Sequence, residues 1–168
     1  IASRAFAAAH GLPFETELAG WAMTADAFHA VAPNPVTVRR CMVESIRHAG
    51  ISPADIAAVN AHAASTKAGD QVEADALRAV FAGRIPPISA NKSQLGHAMG
   101  ATSAIESILA IEGMHRGVLL PTINHRRDPA IELDCVTEGA RDADQEFVLK
   151  NAFGFGGCNA CLVFRRVN

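Results

Sequence analysis

Three polar segments carry residue types suited to chemistry at a carbonyl. They are Asn60-Ala61-His62-Ala63-Ala64-Ser65-Thr66, Asn91-Lys92-Ser93-Gln94-Leu95-Gly96-His97, and Asn151-Ala152-Phe153-Gly154-Phe155-Gly156-Gly157-Cys158-Asn159. Each follows an apolar run that reads as a strand, and the first two precede helices. In an open α/β sheet the carboxyl ends of the strands form the usual crevice for a ligand. Two histidines in such positions, His62 and His97, could donate hydrogen bonds to one developing oxyanion, the costliest charge in carbonyl chemistry. Lys92, five residues before His97, is placed to tune or orient an imidazole. Taken singly, each imidazole reads first as satisfying a nearby backbone carbonyl.

The run Gly154 to Gly157 is a backbone device, since glycine permits positive φ and close approach of a ligand. It is not the dinucleotide fingerprint, because Asn159 stands where the last glycine would fall. A plain turn between two strands is the other reading. Glu106 lies in the most apolar helical segment, where an unpaired carboxylate is costly, so it must find a partner, and Lys92 or a buried hydrogen-bond network is the candidate. Asp26 and His29 form a weaker polar pair after the first strand. Cys158 and Cys161 match C-x-x-C, but residues three apart on a strand point to opposite faces, which argues against a shared metal or a redox pair. No H-E-x-x-H, Walker loop or G-x-S-x-G is present, and no metal site is expected. Arg126-Arg127 and Arg165-Arg166 read as solvated surface.

The elements that must hold these residues alternate between strand and helix. Ala2 to His10 reads as the end of a helix stopped by Gly11 and Pro13, and Phe14 to Met23 as a strand. Val36 to Ala49 places Val38, Met42, Ile46 and Ala49 on one helical face, with Gly50 closing it. Ser52-Pro53-Ala54-Asp55 is a helix-start signature that feeds the apolar run Ile56 to Val59. Asp70 as N-cap with Glu73 at N3 predicts a helix through Phe81, with Leu77, Val80 and Phe81 inward. Ile85 to Ala90 is a short strand. Gly100 to His115 is the most apolar helix and is expected to be the most buried. Ile131 to Val136, Phe147 to Ala152 and Ala160 to Phe164 read as strands. The fold class is α/β, a mixed sheet with helices on both faces.

Composition bounds the function. The 168 residues are 49% hydrophobic and 19% charged, which argues against disorder. A formal net charge of -2 gives no sign of a nucleic-acid binder, and 5% aromatics with no Tyr and one Trp removes the stacking platforms of a single-strand binder. The longest apolar stretch, Ala101 to Ile111, is interrupted by Ser103, Glu106 and Ser107 and is too short for a bilayer span. No secretory signal is visible, and four cysteines are too few for a disulfide scaffold, so a reduced, cytoplasmic protein is expected. Ile1 in place of an initiator Met reads as a fragment or a processed product.

In this order, Asn60-Ala61-His62 with Ser65-Thr66 and Ala68-Gly69-Asp70, then Lys92-Ser93 with Gly96-His97, then Phe153-Gly154-Phe155-Gly156-Gly157, the chain resembles the β-ketoacyl-[acyl carrier protein] synthases. The closest resemblance is to the elongating fatty-acid type and its polyketide relatives. It runs from about Ile1 to Arg166 and covers the C-terminal half of that family's catalytic unit, so residues 1–168 are expected to form one C-terminal domain. The resemblance implies one half of the five-layered αβαβα thiolase-like fold. It further implies a decarboxylative Claisen condensation of malonyl carrier protein with an acyl group held on a cysteine of the N-terminal half. Carried over, His62 and His97 would stabilise the enolate oxygen, Lys92 would hold the network near His97, and Glu106 and Asp70 would belong to that network. Phe155 matches the gating phenylalanine whose N–H helps form the acyl oxyanion hole. Thr66, Gly156 and Asn159 match positions near the pantetheine arm and the active-site turn. No cofactor is implied beyond the phosphopantetheine of the carrier protein. The implied partners are acyl carrier protein and the N-terminal half, in a homodimer or heterodimer, with no nucleic acid and no membrane.

The chain also departs from that pattern. Ala63 stands where the family usually has glycine, Ala64 where it has a hydroxyl expected to bond the pantetheine amide, and Cys158 where it has threonine. None of Cys41, Cys135, Cys158 and Cys161 stands in the strand-turn-helix setting of the family's nucleophile, so this polypeptide alone is expected to be inactive. A non-catalytic partner subunit resembling chain-length factors is the alternative, and a degradative thiolase ranks last. One face of an isolated half would lie uncovered, so the chain is expected to be poorly soluble or obligatorily associated.

Overall fold

The computed structural model describes residues 1–167. After a short helix α1 (Arg4–Ala9) the chain runs β1 (Thr16–Ala25), α2 (Pro35–His48), β2 (Ile56–Asn60), α3 (Lys67–Phe81), β3 (Ile88–Ser89) and a single turn α4 (Lys92–Leu95). It continues through α5 (Thr102–Arg116), β4 (Val118–Leu119), β5 (Arg141–Asp142), β6 (Phe147–Gly154) and β7 (Cys158–Arg166). Five strands form one mixed sheet in the order β1-β7-β6-β2-β3, and β4 pairs with β5 apart from it. β2 is parallel to both β3 and β6, whereas β6-β7 and β7-β1 are antiparallel.

Helices cover both faces of this sheet, as the alternating pattern implies. α2 and α3 bring Val38, Met42, Ile46, Leu77, Val80 and Phe81 against Val59, Leu149 and Val163 on one face. On the other, Ala110 and Met114 of α5 meet Ala58, Val148 and Phe164. Neighbours such as Ala58 and Val59 thus serve opposite cores, which is why β2 and β6 read as apolar runs without clean alternation. Met42, Leu77 and Leu149 are almost wholly buried, each contributing roughly 1.5–3 kcal/mol.

Four local expectations are corrected. α3 begins at Lys67 with Thr66 as its N-cap, because the Thr66 hydroxyl accepts the Gly69 N–H at 3.2 Å; Asp70 is an acid of the first turn, and Glu73 is drawn elsewhere. β3 shrinks to two residues, since Pro86 and Pro87 before it have no N–H to give a ladder. Residues 131–136 form no regular strand: Pro129–Ile131 is a 3-10 turn, and only Cys135 bridges to Ile88. Helix α5 is not the most buried helix: its Ile105 and Ile108 are exposed, whereas α3 buries Ala74, Ala76, Leu77, Val80 and Phe81. Trp21 and Met23 of β1, at 51% and 65% exposure, pair in register with Leu162 and Ala160 of β7. Leu162 packs into the α5-side core, and directly opposed residues share a sheet face, so the exposed apolar residues of β1 and α5 lie on the same side of the molecule. Among the described residues, no helix is long and apolar enough to cross a membrane.

Candidate active site

The parallel strands β2, β3 and β6 all end toward one cleft, and the three polar segments meet there. The cavity has a volume of about 490 Å³, and its lining includes His62, Thr66, His97, Phe155, Gly157 and Cys158. The His62 and His97 rings stand edge to face with centroids 5.7 Å apart, and Phe153 packs on His62 at 5.5 Å. An oxygen hydrogen-bonded to an imidazole N–H sits about 4 Å from the ring centroid, so one oxygen can be reached by both rings at this spacing.

The loop after α4 sets the tautomer of His97. The Met99 N–H donates to Nδ1 at 3.0 Å, and the Thr102 hydroxyl lies 3.0 Å from the same nitrogen. Nδ1 is therefore the acceptor, and the hydrogen is assigned to Nε2. His62 is held through its backbone: its N–H donates to Glu73 Oε1 at 2.9 Å, and the Ala63 N–H to Oε2 at 2.8 Å. Burial, reinforced by the ammoniums of Lys92 and Lys150 and by His97, pushes the His62 imidazole down to about 3, so it is neutral at physiological pH. The unfolded chain protonates this histidine near the usual 6.5, so between those values it binds the extra proton and stability is lost as pH falls. The denaturant midpoint is expected to drop between about pH 7 and pH 4, and to drop less in His62→Gln. Equal drops would remove His62 from the acid destabilisation.

Lys92 and Glu106 meet as expected, at 2.8 Å, with side chains 6% and 2% exposed. The rest of the lysine's placement is a correction. Its Nζ donates to the His62 carbonyl, so its direct contact is with the His62 segment rather than with His97. Lys150, absent from the residues expected at the site, lies 2.7 Å from the second oxygen of Glu106. A charged residue inside the apolar strand Phe147 to Ala152 was the signal available for it. Glu73, expected only as a helix N3 residue, accepts a further bond from the Asn151 side chain at 2.9 Å. Asp70 sits half-buried in the first turn of α3, where burial and the Glu73 carboxylate raise its pKa.

The glycine turn is built from behind. Gly156, at φ +71, gives its N–H to Ala30 O and does not line the cavity. Asn159 is fully buried, and its amide donates to Asp26 Oδ1 at 2.6 Å and Thr24 Oγ1 at 3.2 Å. It braces the turn from outside the cavity lining, with its amide spent on Asp26 and Thr24. Asp26 serves this brace and the start of α2 through Asn34 N–H, and does not pair with His29, whose ring accepts from Val31 and Ala32. Gly157, at φ +77, lies so close to Asp26 that a Cβ would stand 2.7 Å from its carboxyl carbon. Cys158 is exposed in the cleft while Cys161 is buried beside Asn151, so the two sulfurs do face opposite sides.

Ala63 has φ +36, a left-handed conformation that favours glycine. Ala63→Gly is expected to stabilise the fold by about 0.5–1 kcal/mol, the relief of strain being partly offset by a more flexible unfolded chain. That corresponds to roughly 1–4 °C in Tm by calorimetry; a fall in Tm would show the alanine to be unstrained.

A mixed sheet between helical layers, with two imidazoles in one cleft with a glycine turn, defines one half of a thiolase-like fold. The comparisons make the assignment specific. The family "Beta-ketoacyl synthase, C-terminal domain" matches residues 16–126. The 3-oxoacyl-[acyl-carrier-protein] synthase 2 of Mycobacterium bovis is 38% identical over 169 residues, covering 99% of this chain and 40% of that protein. The ishigamide ketosynthase/chain length factor superposes with a TM-score of 0.94 at 36% identity, covering 99% of this chain and 41% of its own. A type II polyketide synthase acyl-carrier protein in complex with its ketosynthase bound to the hexaketide gives 0.93 at 30%, covering 99% and 42%. The chain belongs to the β-ketoacyl synthase family and corresponds to its C-terminal domain. It spans about 40% of the length of the curated relative it matches.

Proposed function

We propose that this chain is the C-terminal half of a working β-ketoacyl-[acyl carrier protein] synthase and supplies the two histidines of a decarboxylative condensation. The observation that carries the reading is the pair of imidazoles 5.7 Å apart in one cavity with Phe155 and the glycine turn. The malonyl thioester enters on the pantetheine arm past Thr66. Its carboxylate leaves as CO2, and the electron pair of the broken C–C bond forms an enolate whose oxygen accepts hydrogen bonds from His62 and from His97 Nε2. Neutral imidazoles suit this role, since each donates without giving up its proton. The enolate carbon then attacks the thioester carbonyl of an acyl group carried on a cysteine of the N-terminal half. The C–S bond breaks, the thiolate is released, and the β-ketoacyl chain remains on carrier protein. Lys92 and Glu106 lie beneath the pair and hold the His62 segment.

The exposed apolar face of β1 and α5 supports a covering partner, because patches of this kind seek burial. The relatives, more than twice as long, have the length to supply it as a second half. That half brings the nucleophile. A second reading, a non-catalytic partner subunit, draws on Ala64 and Cys158, which line the cleft where the family has hydroxyls. The retained histidines favour the first.

The test is the denaturing intact mass of the natively purified protein before and after a thiol-directed acyl-thioester mimic, with malonyl-carrier decarboxylation measured on the same sample. A cysteine adduct on a longer chain or second polypeptide, together with CO2 release, supports the synthase. Release of no CO2, with no site-specific acylation, overturns it in favour of the partner role.

A further inference from the structure

The lysine in the middle of β6 has no part in the chemistry described above, yet the fold spends an interior position on it. Lys150 is 1% exposed, flanked in register by Asn60 of β2 and Leu162 of β7. A buried ammonium persists only with a counter-charge and hydrogen bonds. Its Nζ lies 2.7 Å from Glu106 Oε2 and donates to the Asn151 carbonyl. Glu106 Oε1 is 2.8 Å from Lys92, which in turn holds the His62 carbonyl. On the N–H side of the same segment, buried Glu73 receives the amides of His62 and Ala63 and the side chain of Asn151. Two buried ammoniums and two buried carboxylates therefore bracket the peptide that carries His62, and their formal charges cancel. Take Lys150 away and the bracket carries a net negative charge.

We infer that Lys150 is a positioning residue of this site: its ammonium balances Glu106 and Glu73, fixes Glu106 against Lys92, and thereby holds His62 in place as a neutral donor. The catalytic consequence rests on the synthase reading; the charge balance does not. The groups that bear on the His62 imidazole are Lys92 of α4, His97 of the following loop, Lys150 of β6, Glu106 of α5, and Glu73 and Asp70 of α3. Lys150 is among the charges that hold the imidazole well below its ordinary range. Burial lowers the pKa of Lys150 itself, and Glu106 works against that.

The experiment uses the complete synthase, this chain with its cysteine-bearing half, labelled at lysine and histidine nitrogens. In the wild type, lysine Nζ spectra are expected to show Lys150 as an ammonium at neutral pH; a neutral amine there overturns the inference with no variant needed. Lys150→Met is expected to raise the pH at which His62 titrates and to carry the acid limb of malonyl decarboxylation upward. Its kcat is expected to fall about tenfold to a hundredfold, less than the loss of an oxyanion donor, with KM little changed. A folded Lys150→Met with the wild-type His62 titration and kcat overturns the proposal. Where that variant does not fold, Lys150→Met/Glu106→Gln removes opposite charges together. His62 titrating as in the wild type then supports the balance, and a raised titration contradicts it. A wild-type complex that releases no CO2 from malonyl carrier protein would defeat the synthase reading while leaving both spectroscopic measurements decisive for the charge balance.

Discussion

His62→Ala in the complete synthase is expected to lower malonyl decarboxylation by at least about 10²–10³-fold, the cost of removing one preorganised donor to a developing oxyanion. His97→Ala is expected to do the same. The pair together should cost little more than either alone, because both donors serve one oxygen and act as a unit. The loss should fall on kcat, since the charge they stabilise exists only after CO2 begins to leave. His125→Ala, an exposed histidine outside the cavity lining, is the control and should retain wild-type rates. The His62 imidazole, already held down to about 3 by burial and neighbouring ammoniums, should set no acid limb above about pH 4 in the wild type. Single-turnover release of labelled CO2 from malonyl carrier protein measures all of this. Activity retained in both single variants would strip the histidines of the assigned role.

Glu106→Ala is expected to be the most destabilising single change at the site. The Glu106 carboxylate is 2% exposed and stands between the Lys92 and Lys150 ammoniums, at 2.8 and 2.7 Å. Removing it leaves two like charges in a dry interior with nothing between them. Breaking a buried ion pair from one side costs about 3–5 kcal/mol, against a total stability of only about 5–15 kcal/mol for a domain. The expected fall in Tm is about 10 °C or more, read by calorimetry on the assembled protein. Glu112→Ala, on the same helix in an exposed pair with Arg116, should shift Tm by no more than about 1–2 °C. A Glu106 variant as stable as the Glu112 variant would mean that the two lysines are solvated or uncharged.

The elements that set the site were readable where local chemistry is strong. The face of α2, the capping signature at Ser52 to Asp55 and the apolar runs of β2 and β6 follow from period and turn residues, and the structure carries them. The boundary of α3 is ambiguous in sequence because Thr66 and Asp70 are both good cap residues, and only the backbone geometry at Thr66 selects between them. Helix α5 was expected to be buried because its residues are apolar, but burial depends on what covers a face, and a face left for another segment looks the same in sequence. Likewise, the positive φ at Ala63 is a property of the turn, to which alanine conforms at a cost in strain.

For the site, residue types and spacing single out His62, His97, Lys92 and Glu106, and the family resemblance adds Thr66 and Phe155. Glu106 stands out because a carboxylate in an apolar helix needs a partner, and the two histidines because each lies in a polar segment that follows an apolar run. Only the tertiary structure decided how they connect. It turned Lys92 toward the His62 carbonyl, sent Asn159 behind the glycine turn to Asp26, and brought Glu73 and Lys150, 77 positions apart in the sequence, beneath His62. Hydrogen bonds and buried charges act over about 3 Å whatever the separation along the chain, so the sequence names the groups and the packing of β2, β6, α3 and α5 chooses their partners.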